Sequence, residues 1–172
     1  MTAKSAKTGE CSKCGAAAPI VRGAYRDKNF GLRSVVLQGI EMVSCEQCGN
    51  VDPILPRLND LLRTLAVAVL AKPYRLAGEE VRFLRVFLGL TQEEFARLLH
   101  VDNTTLSKWE TGDDPVGAQS DLLIRTMVLI HGEGLRGKMN EIAGRFAQIR
   151  TTRRRVRIEV QASGADFEYR YA

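Results

Sequence analysis

The sequence predicts an α+β protein: a small cysteine-held β module, a linker helix, an all-α five-helix domain and a C-terminal β-hairpin. Three observations predict it. Two C-x-x-C pairs, CSKCG and CEQCG, bracket a stretch in which apolar and polar residues alternate. Apolar residues then recur at helical spacing through residues 59–149, punctuated by Gly and Pro. Finally VRIEVQ and FEYRY alternate strictly about a polar ASGAD turn. The expected divisions are a disordered lead (1–10), a cysteine module (11–52), a linker helix (53–74), a helical domain (75–149) and a basic hairpin (150–172).

With 172 residues, 45% hydrophobic and 26% charged, the chain has material for one compact domain or two small ones. A net charge of +5 permits nucleic-acid binding without requiring it. The distribution says more. Residues 1–72 carry ten basic against six acidic side chains, 73–135 six against ten, and 136–172 nine against four. A DNA reader in the acidic middle needs basic help from its flanks. The longest apolar run, LAVAVLA, is far short of the roughly 20 residues a bilayer demands. MTAKSAKTGE lacks the apolar core of a secretory signal, so the cytoplasm, or the nucleoid when bound to DNA, is the expected address.

The four cysteines are Cys11, Cys14, Cys45 and Cys48. A C-x-x-C turn brings two thiolates to one side of a metal ion, and Gly15 and Gly49 suit a backbone that must turn with positive φ. Two such knuckles complete the closed tetrahedral shell of one structural Zn²⁺, with iron as the alternative. Disulfides need an oxidising compartment that nothing here indicates. A redox dithiol would use one C-x-x-C in a βαβ pattern. Four protein ligands leave no position for a catalytic water. Between the knuckles GAYRDKNF and SVVLQGIEMVSC predict two or three short strands, too small a unit to cohere without the metal. Residues 11–50 resemble the YgiT-type zinc finger of the MqsA-type antitoxin family, in which the same C-x-x-C-G pairs bracket a small sheet.

Asn59 to Ala71, bounded by Pro56 and Pro73, predicts the linker helix. It is apolar over most of its circumference, so it should be partly buried, against a second copy of the chain among other surfaces. The next helix runs from about Gly78 to Leu88, with Glu79 and Glu80 at the positive end of its dipole. Another opens at Thr91-Gln92-Glu93-Glu94, a capping box. A third is capped by Asp102 and stopped by Gly112, and two more cover about 120–131 and 135–149.

The helix of VDNTTLSKWETG offers the interior only Leu106 and Trp109. Its other face presents Asn103, Thr104, Ser107 and Lys108, and only HVD separates it from the preceding helix. Such a pair makes a tight helix-turn-helix whose second helix turns its polar side outward, and a DNA major groove is its natural partner. GLTQEEFA and LSKWETG resemble the HTH–XRE family of repressors. The resemblance implies that Gln92 braces a phosphate, that Asn103, Thr104 and Lys108 reach base edges, and that Arg85 pairs with Glu110 as scaffold. Lys108 stands where an Arg is familiar in the group. The alternative is a helix that only packs against protein.

Zinc knuckles followed by an HTH–XRE domain repeat the MqsA-type architecture. The resemblance implies a homodimer repressing its own operon at a palindrome, and a ribonuclease toxin bound by the zinc module. In the tail, IRTTRRRVR holds five arginines in nine residues. Arg153, Arg154 and Arg155 are candidate phosphate contacts, or a solvated connector. The hairpin's apolar face, from Val156 to Tyr171, must pack on the helices or on another subunit. An enzyme is not expected: His100 and His131 sit beside no nucleophile or carboxylate pair, and no Gly-rich phosphate loop is present. A zinc-containing interaction adaptor, or a stand-alone regulator with no toxin, is the rival reading.

Overall fold

The computed structural model describes residues 7–26, 30–55, 57–152, 154–163 and 166–172. Arg153, Pro56, the start of the lead and the centre of the ASGAD turn therefore lie outside the described residues. The predicted α+β class holds. Strands β1 (Thr8–Glu10), β2 (Ala17–Arg26), β3 (Val35–Ser44) and β4 (Val51–Ile54) precede α1 (Leu58–Ala71). Helices α2 (Gly78–Phe87), α3 (Gln92–Leu98), α4 (Asn103–Thr111), α5 (Ala118–His131) and α6 (Met139–Phe146) follow, with a 3₁₀ turn at Arg136–Lys138. Strands β5 (Ile158–Ser163) and β6 (Asp166–Tyr171) close the chain.

The end of the expected disordered lead is ordered. Thr8–Glu10 pairs antiparallel with Ala17–Pro19, because the first knuckle turns the chain straight back on itself. The larger departure concerns the tail. β5 lies parallel to β3, with Val35 opposite Ile158 and Leu37 opposite Val160, so the hairpin extends the cysteine module's own sheet. The strand order is β1-β2-β3-β5-β6, with β4 sharing the β5 edge of β3. All six strands form one sheet.

A bulge makes that sheet bury one side consistently. Gly23 faces Ile40 but Tyr25 faces Leu37, so β3 carries one extra residue, and Gly39 there has φ 67°. Only Gly adopts that conformation cheaply. The extra residue switches the strand's parity. Val35, Leu37, Ile40 and Met42 thereby all enter the main core, whereas Val43 and Cys45 join a small second cluster at the cysteines.

α1 packs beneath the sheet. Residues 65–71 are buried throughout, and Ile158 and Val160 join the same core, with Phe167, Tyr169 and Tyr171 packed against it. The Tyr171 hydroxyl donates to the Ala68 carbonyl at 2.7 Å, and burial pushes its ionisation upward. The apolar surfaces of the linker helix and hairpin, expected to pack on the helices or to serve a second subunit, are used inside one chain. One core runs from β3 through α1 into α2–α6.

The α1–α2 connection is held by buried charge. Arg125 of α5 is fully buried and donates to the carbonyls of Val69, Leu70, Lys72 and Tyr74 at 2.5–3.3 Å. These carbonyls lie at the C-terminal end of α1 and just past it, where helical partners run out. Asp121, one turn earlier on α5, accepts from Arg125 at 2.8 Å and from the Leu76 N–H at 2.6 Å. Lys72 and Glu80, both buried, form a second ion pair beside it. Arg125→Met should cost about 3–5 kcal/mol, because Asp121 and four carbonyls would remain buried without their partner. Urea unfolding measures this; a loss under about 1 kcal/mol would mean that these groups re-pair without the guanidinium.

Candidate metal centre and nucleic-acid interface

The two knuckles repeat one backbone design. Gly15 N–H donates to the Cys11 carbonyl and Gly49 N–H to the Cys45 carbonyl, each at 2.9 Å, with φ of 72° and 69° at the glycines. Cys11 N–H and Cys45 N–H reach forward to the Ala16 and Asn50 carbonyls, again at 2.9 Å. The four sulfurs converge within 4.8 Å of one another, and Cys11–Cys48 and Cys14–Cys45 stand at 3.6 Å. A tetrahedron of sulfurs about 2.3 Å from a central ion has edges of about 3.8 Å. The donor set and its spacing therefore fit a metal ion held by Cys11, Cys14, Cys45 and Cys48.

The thiols do not ionise independently. The Cys14 N–H, chiefly, draws Cys11 down to about 6 against desolvation. The Ala16 N–H favours the Cys14 thiolate, but the neighbouring Cys45 and Cys48 thiols oppose it and Cys14 ends at about 12. Thiolates this close repel one another, a repulsion that a bound cation would relieve.

Three residues that the cysteine spacing gave no reason to single out lock the knuckles together. Asp52 accepts from the Ser12 N–H at 3.0 Å and the Ser12 hydroxyl at 2.6 Å, which holds its carboxyl below the ordinary range. Asn50 donates to Asp52 at 2.8 Å and approaches the Cys11 sulfur at 3.9 Å.

The helix-turn-helix forms as its signals predict. Thr91 Oγ1 accepts from the Glu94 N–H at 3.2 Å, while Glu94 accepts from the Thr91 N–H at 2.8 Å. His100 takes the left-handed conformation (φ 53°) and closes α3, with Val101 N–H donating to the Ala96 carbonyl at 3.0 Å. It is a turn residue, as expected. Asp102 occupies the N-cap of α4, but its carboxylate makes no capping hydrogen bond, unlike the expected side-chain cap. Gly112 (φ 89°) ends the helix.

α4 buries Leu106 and Trp109 and leaves Asn103, Thr104 and Lys108 exposed, with Ser107 half-buried. Arg85 grips Glu110 with two bonds, at 2.6 and 3.0 Å, and donates a third to the Leu90 carbonyl at 2.9 Å. Gln92 also donates to Glu110, at 2.9 Å, so α2, α3 and α4 meet at one carboxylate. Gly78 was expected only as a helix start. A Cβ there would fall onto the Trp109 carbonyl and within 2.7 Å of the Glu110 carbonyl oxygen, so α2 crosses α4 at a distance only Gly permits. Lys108 faces Asp114 at 3.6 Å across an exposed loop, and Thr111 donates to Asp113 at 2.6 Å.

Residues 81–119, from α2 into the start of α5, match the model of the helix-turn-helix family. The segment is a helix-turn-helix of the XRE type. The chain therefore carries the DNA-binding domain of a transcription regulator. No curated protein matches the chain, and no solved structure does. Among the described residues no helix is long and apolar enough to cross a membrane. Arg154 and Arg155, both exposed, line a small cavity with Thr111 and Gly112 at the C-terminal end of α4.

Cohesion is divided along the sheet, not between an N-terminal and a C-terminal half. Stripping the metal with a chelator, or Cys45→Ser, should speed amide exchange in β1, β4 and the Val43–Cys45 end of β3. Protection should persist at Val35–Gln38, α1 and β5, which belong to the main core. Hydrogen exchange read by mass spectrometry checks this, and equal loss in both groups would show a single cooperative unit.

Proposed function

We propose that the chain is a sequence-specific repressor that binds DNA through α4 as a homodimer and holds one structural Zn²⁺ at its four cysteines. The observation that carries this reading is α4 itself. Its apolar side is pinned by Leu106, Trp109 and the Arg85–Glu110 clasp, so its exposed polar side is held rigid without touching the rest of the chain's core. In this reading Asn103, Thr104 and Lys108 reach base edges and Ser107 lies beside them. Gln92 uses its second amide hydrogen on a phosphate at the start of α3. Arg153, Arg154 and Arg155 supply the phosphate contacts that the acidic segment 73–135 lacks. Zinc suits four thiolates in two Gly-closed knuckles.

The resemblance to MqsA-type antitoxins extends the proposal to an antitoxin that regulates its own operon and binds a ribonuclease toxin through the zinc module. A regulator, not an enzyme, is proposed. One observation favours the rival adaptor reading: Asp113 and Asp114 stand beside the recognition surface, where they repel phosphates.

Binding to the chain's own upstream DNA, followed by fluorescence anisotropy, separates the two. Asn103→Ala and Lys108→Ala should each reduce discrimination between that DNA and random sequence by roughly 1–3 kcal/mol for a lost base contact, with little change in stability. Equal weakening on both DNAs would demote the residues to phosphate contacts, and no binding at all would favour the adaptor.

The dimer needs a surface other than the linker helix and hairpin. Leu122 and Ile130, two turns apart on α5, are 45% and 44% exposed, with Met139 of α6 also exposed. Light scattering at micromolar concentration should show a dimer, and Leu122→Glu with Ile130→Glu should convert it to a monomer. A monomeric wild-type chain would remove the two-fold model.

A further inference from the structure

We infer that the cavity where the tail meets the ends of α2 and α4 is a binding site for a phosphate-class oxyanion. The cavity measures about 320 Å³ and opens between Arg33 of the turn before β3, Arg75 of the α1–α2 connection, Gly78, Thr111, Arg154 and Arg155. That is room for about ten waters at roughly 30 Å³ each, ample for a phosphate group and its remaining hydration.

The charge balance of its walls points to an anion. Three carboxylates border the space, and each is already committed. Glu79 faces Arg33 at 3.7 Å; Glu80 accepts from buried Lys72 and from the Ala77 N–H at 2.7 Å; Glu110 is held by Arg85 and Gln92. The guanidiniums are not so matched. Arg75 and Arg155 have no carboxylate partner among the described residues, and Arg154 meets only Tyr74, at 3.5 Å from its hydroxyl and 5.9 Å from its ring centre.

The Nε of Arg75 is buried with no hydrogen-bond partner among the described residues. A buried donor left unsatisfied costs about 1–3 kcal/mol, and more when charged, so a group able to accept from it is favoured strongly. Guanidinium forks match phosphate oxygens two at a time, which a chloride ion cannot exploit. α2, ten residues long, begins on the same wall at Gly78 and adds the positive end of its dipole.

The oxyanion is either a backbone phosphate of DNA lying past the C-terminal end of α4 or a free phosphorylated small molecule. Both would tie the tail to the α1–α2 connection and to α4. This goes beyond the repressor reading, since the site holds a phosphate whether or not α4 reads bases.

The test uses the full metal-loaded chain and two probes. Inorganic phosphate, titrated calorimetrically at constant ionic strength against chloride, should bind at one site. Arg75→Gln and Arg155→Gln should each weaken it at least about tenfold, as expected for loss of a charge-assisted bidentate contact. Arg155 is exposed, so its variant keeps the fold if the Arg75 variant does not. The second probe is duplex DNA. A slope of log affinity against log salt reduced by about 0.9 in Arg155→Gln identifies the anion as one DNA phosphate. An unchanged slope together with phosphate binding that the variants lose identifies a free anion. Phosphate binding that neither variant weakens would overturn the proposal, as would no phosphate binding together with an unchanged slope. The phosphate titration involves no DNA, so a chain that failed to bind DNA would sink the repressor reading and leave this one decided by phosphate alone.

Discussion

The architecture depends on one buried guanidinium. Arg125 satisfies the carbonyls at and beyond the end of α1 and holds Asp121, which accepts from the Leu76 N–H of the segment entering α2. Without it, the chain could not leave a buried helix and turn into another inside the core, because unpaired backbone groups are too costly there. With it, α1 and α5 are fixed to one another, and α1 carries the sheet. A segment that would otherwise be a flexible linker becomes the centre of the molecule.

The four-cysteine cluster and the main core then have separate duties on one sheet. At the cysteine end the hydrophobic cluster is small, only Cys11, Ala18, Val43 and Cys45 with a few neighbours. Burial alone is thin there, and the Ser12–Asn50–Asp52 clasp adds to it, as would a metal held by the four cysteines. At the other end β3 is buried in the main core and flanked by β5, where burial suffices. The Gly39 bulge is what lets a single strand serve both ends, by turning its apolar residues onto the α1 side for one stretch and freeing Val43 and Cys45 for the other.

Local signals were legible in the sequence; long-range ones were not. Cysteine spacing with following glycines marks the two knuckles, and Thr91, Glu94 and Gly112 mark the helix ends, because each acts over four residues or fewer. The five helices of the HTH half follow from apolar periodicity. The parallel pairing of β3 with β5 joins residues more than a hundred positions apart and leaves no mark in either strand's alternation, which is equally consistent with a hairpin packed on helices. The bulge at Gly39 shifts the apolar phase from Val35 and Leu37 to Ile40 and Met42, and the apolar Val36 and Val43 on the other face blur that shift in the sequence. Nothing in the periodicity of α5 marks Arg125 for burial, which follows only from where α1 ends. Gly78 reads as a helix start until α4 is laid across it.

The sheet also explains how a domain with an acidic surface can be equipped for a polyanion. Segment 73–135 carries four more acidic than basic side chains, and Asp113 and Asp114 flank α4 directly. The compensating arginines lie far along the chain, and a free basic tail would spread its charge over a large volume of solvent. Here β5 anchors the tail just beyond Arg157 by pairing with β3, and Arg150 is fixed on the other side by the Pro73 carbonyl at 2.9 Å and by the Tyr74 ring. Both ends of the arginine segment are therefore tied down, and Arg154 and Arg155 are delivered to the end of α4. In the repressor reading, the sheet contributes to DNA binding without touching DNA. It converts a diffuse positive charge into two or three guanidiniums at a set place, where a Debye length of about 8 Å still lets them act on the same phosphates that α4 approaches.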